Sequence, residues 1–445
     1  MEVVMNVALA KMNTEGPVDE LFASARGRLP GSGVVAEARQ AAFDEFTRLG
    51  LPHRRIEDWK YTDLRALLRK IAPLAPSPDK AALALASKAV KSLKIRGTQK
   101  LVLVDGVFVP QLSDIAAFES GVRVHTLRET LENDSNPVRA DLLLTKLASG
   151  AMISLNAAMA TDGVVIGIAG RAVLSKPIHI VHVATNSGTS AFTRSLLQLG
   201  NGARATLVES FVAAEGAASY QAHDSVVLAI GNDAELEHVR LVEDAPDAAN
   251  ISTAVVSVGA KARLNTFNLT VGGEVSRYQA AILISGEGAH VATNGVNLLN
   301  ARQHADTTLV TDHVVPHGES REIFRAVVDD RAHSVFQGRI IVRPDAQKTD
   351  AKMMTRALLL SDDAEADNKP ELEIFADDVT CGHGATTGAL DESLLFYLRA
   401  RGLSEKEAQA LLIQAFVGEA IESIANDALR EFAITAAQRW LAARG

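Results

Sequence analysis

The chain switches hydrophobic period twice. From Val35 to Leu49 the apolar residues Ala38, Ala42, Phe46 and Leu49 recur at helical spacing. Gly50 and Pro52 end that helix. Thr62 is placed to cap a short helix running to Lys70. Pro73, Pro76 and Pro78 form a stiff linker, and Asp79 to Leu93 is alanine-rich and helical in pattern. From Leu101 the period becomes two. Leu101–Val104, Asp105-Gly106 and Val107–Val109 read as a hairpin. Strand-like runs continue to about Thr380, with one helical interruption expected near Val138 to Ser149 from the spacing of Leu142, Leu143 and Leu147. In Glu322–Val328, Phe324, Ala326 and Val328 share one face, with Arg325 and Asp329 on the other. Helical period then returns. Asp391 caps a helix from Glu392 to Arg401 that Gly402 ends, and Ser404-Glu-Lys-Glu407 is a capping box. Ala408, Leu411, Leu412, Ala415 and Phe416 form the apolar stripe of that next helix, and a last helix runs from Asp427 to Trp440.

The strand-rich region repeats. Gly-x-x-Ala opens a strand at Gly200–Ala203, Gly231–Ala234, Gly259–Ala262 and Gly286–Ala289, at spacings of 31, 28 and 27 residues. Weaker echoes stand at Gly170-Arg-Ala172 and Gly318-Glu-Ser-Arg321. Each unit holds about two strand-like runs, such as Ala205 to Val212 and Ser225 to Ile230. A period of this length, punctuated by Gly, Asn and Asp, predicts a β-solenoid, because one coil cannot bury its apolar face alone. A β-sandwich with chance glycines is the alternative. The fold class is therefore mainly β: a helical region over 1–95, a solenoid core over 96–388 and a second helical region over 389–445. The helical parts are expected to cap the ends of the stack, whose open strand edges need cover.

Composition narrows the function. The 445 residues carry 45 Lys and Arg against 54 Asp and Glu, a net charge of -9, which disfavours a nucleic-acid partner. One cysteine excludes an internal disulfide and any cysteine-rich metal cage built from this chain alone. Met1–Lys11 lacks a basic n-region and no apolar run reaches a membrane span, so a cytoplasmic protein without membrane association is expected. Aromatics are only 4% of residues, which counts against the stacking platforms of a carbohydrate-active enzyme.

The single cysteine carries the chemistry. Cys381 and His383 lie two residues apart in a glycine-rich segment, so in a strand both side chains project to one face. A thiol and an imidazole make two ligands for a soft or borderline metal, with the rest supplied from elsewhere, most simply by a second chain. The competing readings are a small buried hydrophobe and a Cys–His nucleophile–base pair in a hydrolase or transferase. No third orienting group or oxyanion motif accompanies the pair, and no Walker A pattern is present. His290, His304, His313, His317 and His333 read as hydrogen-bonded histidines rather than an iron path. Ser361–Asp367 reads as a solvated acidic loop. Asp377 and Asp378 either orient His383 or cap a turn, and Trp59 and Tyr61 read as packing residues.

Four segments together resemble the SufB/SufD family of iron–sulfur cluster assembly proteins, in particular its D-type subunits. They are Ile56-Glu-Asp-Trp-Lys-Tyr-Thr62, Arg302-Gln-His-Ala-Asp-Thr-Thr308 with Thr311-Asp-His313, Lys369–Asp378 leading into Cys381-Gly-His-Gly-Ala-Thr-Thr-Gly388, and Phe396-Tyr-Leu-Arg-Ala-Arg-Gly402. The B-type subunits carry more cysteines, so the lone Cys381 points to the D type. The resemblance implies a right-handed parallel β-helix between helical regions and a non-enzymatic scaffold role. It implies pairing with a SufB-like paralogue through the β core, and a transient cluster at that interface with His383 as ligand and Cys381 as a weaker one. It implies a SufC-like ATPase bound through the C-terminal helices, for which Phe396, Tyr397, Leu398, Arg399 and Arg401 are the candidate contacts. By analogy, the isolated chain can also pair with itself.

Overall fold

The computed structural model describes residues 15–136, 139–143 and 148–444. The segment Met1–Lys11 and the middle of the helix expected over 138–149 lie outside these residues. On either side of that gap the chain forms a 3-10 turn at Arg139–Leu143 and a helix at Ala151–Met159.

The chain winds between two sheets. One has ten strands, from Val107–Phe108 and Gln99–Val104 at one end to Thr380–Gly388 at the other, and the second has nine, from Val122–Thr126 to Glu365–Ile374. Neighbours within each sheet are alternate strands in the chain, which makes a β-solenoid of about eight turns. All pairings are parallel except two near the start, Gln99–Val104 with Val107–Phe108 and Val122–Thr126 with Val164–Ile168. The first is the expected hairpin, with Asp105 and Gly106 both at positive φ.

The Gly-x-x-Ala steps are corners where the chain crosses from the nine-stranded to the ten-stranded sheet. Ala203, Ala234, Ala262 and Ala289 are fully buried, and the third residue of each step (Gly202, Asp233, Lys261, Gly288) has positive φ. The first glycine lets backbones meet: a Cβ on Gly286 would fall 1.8 Å from the Ala260 nitrogen. The two weaker echoes belong to the same corners but out of phase. Gly318 occupies the place of Ala289, and Gly170 that of Asn201.

Helices cover the faces of the stack rather than its ends, which corrects the expected caps. The N-terminal helices pack Phe22, Phe43, Phe46 and Leu64 against Phe192, Ile251 and Val275 of the nine-stranded sheet. The C-terminal helices pack Ile413, Val417, Phe432 and Ala436 against Val239, Phe267, Val296 and Val327 of the ten-stranded sheet. A sheet face between solvated edges must bury its apolar side on something, and here each outer face is itself apolar. Arg325, on the face opposite Phe324 as expected, is buried under the helix Glu405–Ile421, where it pairs with Glu419 at 2.6 Å. The buried stripe of that helix is Ala408, Ile413, Val417, Ala420 and Ile421, while Leu411 and Ala415 face solvent.

Asp63, not Thr62, caps the short helix Leu64–Leu67, accepting from the Arg65 and Ala66 amides. Thr62 is buried instead and hydrogen-bonds His304 at 2.9 Å and Asp306. Asp306 pairs with the buried Arg277, whose guanidinium lies 3.7 Å from the Trp59 ring. Trp59 thus packs as expected, and it also covers a buried ion pair.

Two stability predictions follow from this packing. Gly286→Ala forces two corners apart and is expected to cost at least about 2 kcal/mol, whereas Gly418→Ala, with open space in a helix, is expected to gain about 0.5–1 kcal/mol; chemical denaturation midpoints check both. In the interior, Thr311 donates to Glu322 at 2.7 Å, and burial pushes Glu322 from 4.5 up to about 8. The proton is held more tightly in the folded state, so its stabilising contribution is complete below pH 4.5 and is lost as pH rises through about 8. Glu322→Gln mimics the protonated form. Its stability relative to wild type should therefore rise between pH 5 and pH 8, by up to about 1.4 kcal/mol per pH unit.

Candidate functional site

Parallel in-register stacking puts equivalent positions of successive coils in columns. One inward column of the ten-stranded sheet runs His238, Thr266, Thr293, Glu322, Met353, His383. A neighbouring one runs Leu264, Val291, Ser320, Ala351, Cys381. Ala351 and Met353 belong to the core between the sheets, so Cys381 and His383 both project inward at the last coil. The expectation that the two share a face is met. Their environments differ: Cys381 is half-buried against the core, and His383 is exposed. Met353 lies beneath His383 in the column and fills the room that Gly338 leaves on the opposite sheet.

This coil is open. Glu365–Ile374 and Thr380–Gly388 are each last in their sheets, and their burial falls off sharply relative to the strands before them. The two edges differ chemically. Glu365–Ile374 carries Glu365, Asp367, Lys369, Pro370, Glu371 and Glu373, the charges and proline that deter edge pairing. Thr380–Gly388 has no proline, and His383 is its only ionisable group besides Cys381. Its outward positions are Gly382, Gly384, Thr386 and Gly388, leaving the backbone almost bare. Asn368 and Thr387 join the two strands by a 3.1 Å hydrogen bond at the far end of the slot.

The thiol is not activated. Burial pushes Cys381 above its ordinary value of 9.0, and the Asp350 carboxylate adds to this against a hydrogen bond with the Ala351 backbone. Asp378 does not orient His383: it pairs with Lys348, and its amide donates to Gln347 at 2.9 Å, so it serves the turn. Among the described residues His383 takes no side-chain hydrogen bond.

The other candidates resolve into local pairs. His290 bonds Glu319 at 3.0 Å, His313 bonds Ser320 at 3.0 Å, His333 bonds Asp367 at 2.8 Å, and His317 lies 4.0 Å from Glu287. Residues 361–364 form a corner, with Asp363 on Arg331 at 3.2 Å, whereas Glu365 to Asp367 already belong to the last strand of the nine-stranded sheet, which corrects the expected acidic loop. Phe396 (75% exposed) and Tyr397 stand out on the helix Glu392–Ala400, which buries no residue. Leu398 is half-buried there, Arg399 reaches Glu405 at 3.6 Å, and the Arg401 guanidinium lies 4.7 Å from the Tyr397 ring.

Sequence reasoning missed one cluster. His182, Glu209 and Asp224 present ligating atoms within 4.8 Å of one another inside the solenoid. Glu209 also bonds His238 at 2.7 Å. Burial lowers His182 to about 4 and raises Asp224 to about 8. Burial also opposes the charge of Glu209, but His238, His182 and Arg240 hold its carboxyl below the usual range. The signal available in the sequence was charged residues at inward parity, readable only once the coils are in register.

Comparison with known proteins adds identity. Residues 182–416 match the family described as SUF system FeS cluster assembly, SufBD core domain, and residues 12–180 match the SufBD protein N-terminal region. The chain is 31% identical to an iron–sulfur cluster assembly SufBD family protein of Synechocystis over 88% of each chain. It is 30% identical to the iron–sulfur cluster assembly protein SufD of Escherichia coli, over 88% of this chain and 90% of that one. A chloroplastic protein of Arabidopsis thaliana, ABCI7, is 27% identical over 93% of this chain and 86% of its own length. Among the described residues no helix is long and apolar enough to cross a membrane.

A raised thiol pKa predicts slow alkylation. Iodoacetamide should modify Cys381 at neutral pH no faster than an unperturbed cysteine, with the rate rising only towards and beyond pH 9. Rapid labelling at pH 7 would instead mark a catalytic thiolate.

Proposed function

The chain belongs to the SufBD family of iron–sulfur cluster assembly proteins, and from that premise we propose that it is a non-enzymatic scaffold subunit that holds one side of a nascent cluster at its open solenoid end. The observation that carries this reading is the last coil itself: a sparsely charged edge strand with Cys381 and His383 facing the slot. A partner with the same two-sheet cross-section, a SufB-like paralogue, can add its own strand to this edge by main-chain pairing. Its ligands would then complete a site that two residues cannot fill.

Split ownership suits a cargo that must leave. An imidazole carries no charge in its ligating form, so His383 holds iron less tightly than a thiolate would. Cys381 must lose its proton to bind, and its raised pKa makes that contribution conditional on pH. Small movement between two subunits opens such a site. The exposed Phe396, Tyr397 and Arg401 with Leu398 and Arg399 form the surface on which a SufC-like ATPase can dock and supply that movement. Because the helix Glu392–Ala400 buries nothing in this chain, its apolar side chains are available to a partner.

Anaerobic co-purification with SufB-like and SufC-like partners tests the assignment, with iron and acid-labile sulfide counted per complex. His383→Ala should leave the ternary complex intact and lower both counts at least about tenfold; unchanged counts would remove His383 as an essential ligand. Phe396→Ala combined with Arg401→Glu should release the ATPase while keeping the paralogue and the fold. Retained ATPase would move that contact elsewhere.

A further inference from the structure

We propose that His182, Glu209 and Asp224 form a structural site for a divalent first-row transition cation, buried between the two sheets and independent of the open end. The three residues come from different strands of both sheets: His182 from Ile178–Ala184 and Glu209 from Arg204–Ala213 in one, Asp224 from Gln221–Ile230 in the other. An ion there would fasten one sheet to the other in the early coils.

The donors are pre-arranged. His182 Nδ1 lies 3.5 Å from the Thr193 hydroxyl, and that hydroxyl donates to Asp224 at 2.6 Å. With its proton consumed by Asp224, Thr193 can only accept from Nδ1–H, which fixes the tautomer and leaves the Nε2 lone pair free. Nε2 lies 3.9 Å from Asp224 Oδ1 and has no hydrogen bond, and the Oε1 atom of the fully buried Glu209 has none either. Two orphaned acceptors inside a core are costly without a positively charged or donating partner. The ring of His182 is held in place by stacking on Phe211 at 4.3 Å.

The neighbouring groups leave this gap open. The Arg240 guanidinium is committed to Asn268 at 3.0 Å and Asn250 at 2.8 Å, and lies over the Phe211 and Tyr278 rings. His238 takes the other oxygen of Glu209. Asp244 accepts from Tyr220 at 2.6 Å and Asn250 at 2.8 Å. One imidazole nitrogen and two carboxylates, with no thiolate, suit Zn(II), Fe(II), Mn(II) or Co(II) rather than Cu(I). Metal–ligand bonds of about 2.0–2.2 Å place donor atoms roughly 3.4 Å apart, so the side chains close by about 1 Å on binding. Binding requires Asp224 and Glu209 as carboxylates.

The test uses the full chain in a Cys381→Ser, His383→Ala background, stripped with chelator and then incubated anaerobically with Co(II). One Co(II) per chain beyond the Asp224→Asn control is expected, with visible d–d absorption, and a higher melting temperature than in chelator. Asp224→Asn keeps the shape and the acceptor for Thr193, so in chelator it should melt as its parent does, yet bind Co(II) at least about tenfold more weakly. Equal Co(II) content in the parent and Asp224→Asn proteins, or a parent protein with no bound Co(II) and no melting shift, would overturn the proposal. His182→Gln serves as the second variant, and binding that survives it would do the same.

Discussion

In-register stacking of parallel coils is the constraint on which the rest of this molecule depends. Every interior strand uses both of its edges, and every side chain repeats the position of one in the coil before it. Equivalent positions therefore become columns, and a column tolerates only residues that its neighbours can satisfy. The corners show this directly, since backbone meets backbone and a Cβ would not fit at Gly286. The same rule concentrates unsatisfied edges at the two ends of the stack. Short antiparallel strands, Val107–Phe108 and Val122–Thr126, finish the first end. Nothing among the described residues finishes the other.

The helices divide their work accordingly. Both outer faces are apolar enough to bind helices, and the N-terminal segment is further locked by Trp59, Arg277, Asp306 and Thr62. A buried ion pair adds little net stability but strongly penalises a misplaced partner, so this knot specifies where the segment docks. From it, Glu57 and Asp58 reach Lys369 and Arg339 on the outer face of the nine-stranded sheet. The tryptophan-containing segment thereby steadies the charged terminal strand Glu365–Ile374 and leaves Thr380–Gly388 uncovered.

Much of this was legible in the sequence. The Gly-x-x-Ala spacing fixes the coil length because the corner needs a small buried residue and a positive φ at fixed places, and Cys381 and His383 fall on one face because a strand has period two. Other features depend on contacts between distant residues. Thr62 looked like a cap and is a buried donor to Asp306, 244 residues away in the chain. The expectation of capped ends failed because apolar outward residues such as Val239, Phe267 and Val296 are indistinguishable by alternation from inward ones. Apolar residues are spread around the helix Glu405–Ile421 rather than gathered on one side, so its buried side was set by the sheet it meets. The His182–Glu209–Asp224 cluster needed the register before its three members could be seen as neighbours.

The open end also accounts for the exposure of His383. Inside the stack, the His383 column holds the half-buried Thr266 and then Thr293, Glu322 and Met353, the last three buried between neighbouring coils. His383 occupies the same kind of position and is exposed because, among the described residues, no further coil follows. A partner that supplied the next coil would bury the imidazole and the half-buried thiol together, and would bring its own side chains into the same columns. Cys381 and His383 are therefore aimed at the place where a second solenoid would continue the first. Pairing of edges and completion of a metal-cluster site would then be one event, and separating the edges would undo both.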